Sequence, residues 1–384
     1  MKKISLVCLI ILIINLVIVG CSTNSKSKDS STLNSEILIK QPSENKQSEI
    51  PLLHQRYTMA PGKNGEEDCT YSFYIADNGD LWRWIEGTKD RKIIDTGVQA
   101  IMCSGNGEFI AKLKYDGCLL VTFNEPLGSD YYHKGYLLSD LAGTSEHIMQ
   151  NVKMASVGRN HVIMLKQDNT VWLCGENGDG QLGNGQPDNG KRSDDLFNYK
   201  PEQVLSDCVF ISAGNSHSAA ITSNYDLYLW GDNSCGEIGN GERGNGFPTA
   251  SNLVVSRPYL ALKNVKWVRL LGTTTFAITT DNALWAWGSN QSTVPTKVAE
   301  DVLDVTGDGD NATYILDAGG KVFRLEDMFN LLFENVSSFD SSFMTLFTLQ
   351  KYDGIFEVYS YESDAGRVAD NPHLVKKIAE TDFY

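Results

Sequence analysis

Short apolar runs closed by an aspartate-bearing turn recur along this chain. His161-Val-Ile-Met-Leu is followed by Asp168-Asn and then Val171-Trp-Leu-Cys-Gly175, and Leu227-Tyr-Leu-Trp closes a second such segment. These runs are apolar at successive positions and not alternating, which predicts strands covered on both faces. They are too short and too closely bounded by glycine to be buried helices. Asp-Gly or Asp-Asn between two such runs predicts a hairpin, because those residues supply the positive backbone dihedrals that a tight turn needs.

The segments are copies of one unit. Val157 to Gly175, Ala213 to Gly231 and Leu271 to Gly288 align from a first glycine through a turn to a closing Trp-Gly or Cys-Gly. Weaker copies flank them at Tyr74-Ile-Ala-Asp77 and Phe109 to Asp116 upstream, and at Tyr314-Ile-Leu-Asp317 and Leu346 to Asp353 downstream. Seven turns result, at 77, 116, 168, 224, 281, 317 and 353. The spacing of about 47 residues per unit lies in the range of propeller blades.

The consensus carries a family resemblance. Gly-x-x-His, then Asp-x-x-Val-Trp-x-x-Gly, then Asn177-Gly-Asp-Gly-Gln-Leu-Gly-Asn-Gly185, closed by Pro201-Glu-Gln-Val, resembles the regulator of chromosome condensation repeat. Asn233 to Gly241 repeats the third part with two substitutions at the consensus positions Asn-x-x-Gly-Gln-Leu-Gly-x-Gly, and Pro295-Thr-Lys-Val and Pro372-His-Leu-Val repeat the last. The resemblance implies an all-β chain: a β-propeller of seven blades, each a four-stranded antiparallel sheet. The Gly-Gln-Leu-Gly turn is absent from five units and several units are short, so irregular outer blades and a ring of six or eight stay open. Lys376 to Tyr384 follow the last Pro-x-x-Val and Pro51 to Ala60 precede the first full unit. A ring closed by terminal strands is therefore expected, one end pairing into a blade begun at the other and removing open sheet edges.

The N-terminal residues are expected to be an address. Lys2 and Lys3, the apolar run Ile4 to Val19 and Gly20-Cys21 resemble a bacterial lipoprotein signal over 1–20, with Cys21 lipidated. Residues 21–50 then form a stalk rich in Ser, Lys, Asn and Gln with no aromatic residue, too polar to bury a core. Residues 51–384 form a single propeller domain, anchored by lipid on the outside of the cell membrane. The formal net charge of −15 repels phosphate backbones and argues against nucleic acid as partner. Beyond Cys8 and Cys21, the cysteines Cys69, Cys103, Cys118, Cys174, Cys208 and Cys235 show no metal-finger spacing, and the sequence does not choose among their pairings.

Chemistry is sparse. Gly185 to Lys191 matches the start of a phosphate loop, but Arg192 stands where magnesium needs Ser or Thr, and Pro201 opposes the helix that must follow. No nucleotide and no other cofactor is expected; the glycines read as a blade turn followed by an inserted loop. His161 and His217 share one phase of adjacent units, with Glu108, Thr275 and Asp310 in that phase elsewhere, and read as turn or core hydrogen-bonding groups and not as metal ligands. Asp304, Asp308 and Asp310 form a weak calcium candidate without the glutamate of a calcium hand. No nucleophile elbow or zinc-protease motif is present, so no catalytic residue is assigned.

Units lengthen at about 124–150, 186–200 and 242–257, always at the same phase, which predicts loops emerging together on one face. They carry Tyr131, Tyr132, Tyr136, Phe197, Tyr199, Arg243 and Phe247, residue types that anchor interfaces. The expected function is a non-catalytic, cell-surface binding module for an extracellular protein or surface polymer. Two alternatives stand beside it. One is an inhibitor of an extracellular enzyme, since a secreted β-lactamase inhibitor is similar to this propeller family; the other is a carbohydrate-active enzyme on a propeller scaffold.

Overall fold

The computed structural model describes residues 55–56, 71–75, 78–85, 91–103, 109–123, 146–187, 198–244, 253–289, 291–307, 313–325, 327–342, 346–351, 356–360 and 377–378. They form seven four-stranded antiparallel sheets, each made of four consecutive strands. Blade 1 runs from Gln55–Arg56 to Arg91–Asp95, blade 2 from Val98–Cys103 to Glu146–Met149, and blade 3 from Val152–Val157 to Asn198–Leu205. Blade 4 runs from Cys208–Ala213 to Val254–Leu262, blade 5 from Val265–Leu271 to Thr296–Ala299, blade 6 from Val302–Gly307 to Asp327–Phe333, and blade 7 from Val336–Ser342 to Lys377–Ile378. The fold is a β-propeller.

The second strands are buried almost throughout: His161–Lys166, His217–Thr222 and Thr274–Thr279 each have at least five of six residues inside. Such continuity arises because apolar cores lie between sheets. Ile163, Leu173 and Val171 of blade 3 pack with Ile211 and Trp230 of blade 4. Leu229 and Ile221 of blade 4 pack with Val268 and Trp287 of blade 5. Each such fully buried side chain contributes roughly 1.5–3 kcal/mol. First strands also bond across the boundaries: Ser156 Oγ accepts from Ala213 N at 3.0 Å, and Ser212 Oγ from Leu270 N at 3.2 Å.

The second and third strands join through three-residue loops in which only the last residue takes a positive φ, as at Gly117, Asn169, Asn282 and Gly320. The aspartate contributes its carboxylate instead: Asp116 and Asp168 each accept from the backbone N–H two residues on. The last loop residue has a second task. Its carbonyl accepts from the first N–H of the next blade at all six described junctions: Gly79 with Val98, Gly117 with Val152, Asn169 with Cys208, Tyr225 with Val265, Asn282 with Val302 and Gly320 with Val336.

Closure by exchange of a terminal strand is not what the described strands form. Lys377–Ile378 pairs with Phe356–Ser360 and Gln55–Arg56 with Tyr71–Ile75, each within its own end of the chain. The Pro-x-x-Val element explains the difference. Pro201 lies in the fourth strand of blade 3 and Pro295 directly precedes the fourth strand of blade 5, both at sheet edges, where a residue without N–H is tolerated. The element therefore completes a blade, and Lys377–Ile378 is the fourth strand of blade 7, not the first strand of another.

Candidate functional site

The connections that leave the third strands of blades 2, 3 and 4 carry the residues expected to bind a partner. In an antiparallel meander the third strands all run the same way, so Phe123, Gly175 and Asp232, after which the connections begin, lie at the same end of their sheets. Two of them begin with a turn held in place by one asparagine. Asn177 Oδ1 accepts from Leu182 N at 3.0 Å while its Nδ2 donates to Asn184 Oδ1 and the Gln186 carbonyl. Asn233 does the same with Ile238 N, Asn240 Oδ1 and the Glu242 carbonyl.

Each turn lies on the following blade. The Gln181 carbonyl accepts from Trp230 Nε1 and from Ser218 Oγ, both at 2.9 Å. The Glu237 carbonyl accepts from Trp287 Nε1 at 2.8 Å and Thr275 Oγ1 at 2.9 Å. Gly185 N donates to the Ser256 carbonyl and Gly241 N to the Thr293 carbonyl, extending the seam. Gly183 is required there: at φ 71, a Cβ would stand 2.6 Å from Trp230 Nε1. Gly185, the first glycine of the phosphate-loop match, has its N–H committed to the Ser256 carbonyl and its Cα face against Arg257; Gly190 and Lys191 lie outside the described residues.

The two histidines extend the same network. His161 Nε2 lies 2.8 Å from Ser218 Oγ, and His217 Nε2 lies 3.4 Å from Thr275 Oγ1. Ser218 gives its one proton to the Gln181 carbonyl, so the His161 Nε2–H is the donor and Nδ1, which has no partner, is the bare nitrogen. Burial holds the His161 imidazole down to about 4; burial, with His161 as neighbour, holds His217 down to about 3. Both rings are core hydrogen-bonding groups, as their phase in the repeat suggested. One alignment shifts: Thr274, not Thr275, faces Gly288 as His161 faces Gly175, because blade 5 has a turn one residue shorter.

Glu237 departs from its counterpart Gln181. Its side chain is 1% exposed; Oε2 accepts from Cys235 N at 2.8 Å and Oε1 has no partner. Burial, reinforced by Asp232, pushes its carboxyl up to about 8. The signal for this residue was present in the sequence as one of the four differences between the turns.

Of the expected anchors, Arg243 is exposed at the end of the blade 4 turn, where its charge favours ionised Glu237. Tyr199 lies on the strand Asn198–Leu205, though its side chain is not among those described. Tyr131, Tyr132, Tyr136, Phe197 and Phe247 lie outside the described residues, as do Cys21, Asp308 and Asp310. Asp304 sits on Val302–Gly307 and accepts from Val305 N. Among the described residues no three acids, histidines or cysteines are grouped to hold a metal. Cys118, Cys174, Cys208 and Cys235 are free thiols, and burial pushes Cys174 up to about 12.

The profile of the regulator of chromosome condensation (RCC1) repeat matches residues 168–221, and a second profile of that repeat matches 208–237. Residues 168–237 carry RCC1 repeats. Both matches fall on blades 3 and 4, where the docked turns and buried histidines lie. The chain is 31% identical over 119 residues to the X-linked retinitis pigmentosa GTPase regulator of Mus musculus, covering 31% of this chain and 11% of that protein. It is 24% identical over 147 residues to the E3 ubiquitin-protein ligase HERC2 of Homo sapiens, covering 37% of this chain and 3% of that protein. The chain thus spans a small fraction of these curated relatives. Among solved structures, the RCC1 fold of Prp20p from Saccharomyces cerevisiae, described with its binding to Gsp1p and histones, superposes at a TM-score of 0.55. It shares 15% identity, covering 81% of this chain and 88% of that one. Human WBSCR16 superposes at 0.53 with 18% identity, covering 77% and 86%.

Proposed function

We propose that this chain is a non-catalytic RCC1-repeat propeller, held on the outer side of a bacterial membrane by lipid on Cys21, that binds a partner protein through the connections of blades 2, 3 and 4. One observation carries the reading. The third strands of three consecutive blades finish at the same end of their sheets, each followed by a long stretch of sequence before the fourth strand, and two of these stretches start from turns pinned to the next blade by buried indole and hydroxyl donors. A pinned base limits the ordering entropy that a loop loses on binding, which favours a recognition surface. Protein partners of Prp20p support the class of ligand, and the acidic balance of the chain disfavours nucleic acid.

The test has two arms. Crosslinking capture at the cell surface compares the intact chain with one in which 124–145, 188–197 and 245–252 are replaced by short glycine-serine links. Partners that depend on these segments support the reading; identical capture by both forms ends it. Replacement Cys21→Ala is expected to abolish lipid labelling and release the protein, and undiminished membrane retention would count against the anchor. A captured enzyme whose activity falls on binding would mark the partner as an inhibited enzyme.

A further inference from the structure

We infer that blade 4 carries a second docking surface, at the end opposite its long connection, built on Val209 and Tyr225 and suited to a partner protein that presents a lysine or arginine side chain. The inference extends the reading of the chain as a binding module and rests on it.

The repeat supplies its own template. In blade 3 the Lys153 ammonium donates to Asn169 Oδ1, and in blade 5 the Lys266 ammonium donates to Asn282 Oδ1. The lysine is the second residue of the first strand, and the asparagine is the last residue of the second-to-third-strand loop. Blade 4 has Val209 and Tyr225 at these two positions. Both are exposed, at 41% and 49%. The built-in cation is missing and an open aromatic ring has taken the place of its acceptor.

Tyr225 also stands in a backbone conformation that does not suit it. At φ 63 it is the single bulky residue among six equivalent loop positions; the other five are glycine or asparagine. An L-aromatic in this region is strained, and such strain is concentrated at functional positions. Charge specifies the occupant. Asp207, on the linker just before blade 4, and Asp226, beside Tyr225, flank the pair in sequence, while Lys263 lies on the linker that follows blade 4. A guanidinium or ammonium laid over the Tyr225 ring, with its stem against Val209, gains the ring's quadrupole, and the aspartates close by in sequence add to its attraction. The partner would supply the cation that blades 3 and 5 supply themselves.

The substitutions that test this are ones the fold already accommodates. The double variant V209K/Y225N gives blade 4 the pair found in blades 3 and 5. The full-length chain and the variant are titrated with fluorescein-labelled short peptides centred on Arg-Leu, Lys-Leu, Gln-Leu or Glu-Leu, read by polarisation. The expected result is binding of the Arg-Leu and Lys-Leu peptides, weakened about tenfold or more in the variant and by added salt, with a melting temperature no lower than the parent's. Equal binding by parent and variant, binding of Glu-Leu as tight as Arg-Leu, or no binding of any peptide overturns the proposal. Loop-dependent capture at the opposite end would be unaffected by V209K/Y225N, so failure here is distinguishable from failure of the functional reading.

Discussion

The Trp230 indole of blade 4 donates to the Gln181 carbonyl of blade 3 at 2.9 Å, 49 residues away in sequence. Trp287 and Glu237 repeat the relationship one blade on. In each case a turn after the third strand of one sheet is bonded to the next sheet, so the seam between blades is polar as well as apolar. Blade 3, which follows a unit without this turn, has Val162 and Cys174 in the register of Ser218 and Trp230. The donors occur where a carbonyl arrives to use them.

Replacing Trp230 by Phe is expected to lower unfolding free energy by about 1–3 kcal/mol, since a buried carbonyl loses one of two donors and the ring leaves a small void. Chemical denaturation would measure this. Cys174→Trp in blade 3 should give no matching gain, because Cys174 is buried in the core shared with blade 2 and a Trp there overpacks it. A gain equal to the Trp230 loss would show that the indole acts by area alone.

Gly183→Ala is expected to destabilise by about 1–3 kcal/mol, combining a positive φ with a Cβ forced against the indole. Gly178→Ala in the same turn is the control, having a negative-φ backbone and only a carboxylate oxygen within 4 Å. If both cost the same in a thermal melt, close approach is not what selects glycine at 183.

Glu237 gives stability a falling limb with pH. Its carboxyl is raised from 4.5 to about 8 in the folded chain, so the native state holds a proton that the unfolded chain releases. Stability from this group is complete below about 4.5 and declines as pH rises through 8. Glu237→Gln, which copies Gln181, should remove that decline and raise stability at pH 8 and above. Denaturant midpoints of parent and variant that run parallel from pH 5 to 9 would refute this.

The histidines act in the other direction. Their folded values of about 4 and about 3 lie below the ordinary 6.5, so the unfolded chain binds protons first. The stability present above pH 6.5 is lost as pH falls toward 4 and then 3. His161 and His217 proton resonances should stay in the neutral form down to about pH 5 in the folded protein. Titration near 6.5 would place these rings in water.

Much of this was legible in the sequence, because it depends on neighbours in the chain. Apolar runs such as His161 to Leu165 gave strands, Asp168-Asn169 gave the hairpin, and the recurrence of both gave blades, since backbone dihedrals and strand burial are set over a few residues. Asn177 and Asn233 were visible as a repeated motif, as was the exchange of Gln181 for Glu237. What a residue meets from the next blade was not visible. The Gln181 carbonyl finds Trp230, Thr274 and not Thr275 falls opposite Gly288, and the proline-marked strand closes its own blade. Each of these follows from how one sheet is placed against the next or how strands pair in register, a geometry that fixes partners some 50 residues apart and that no local pattern encodes.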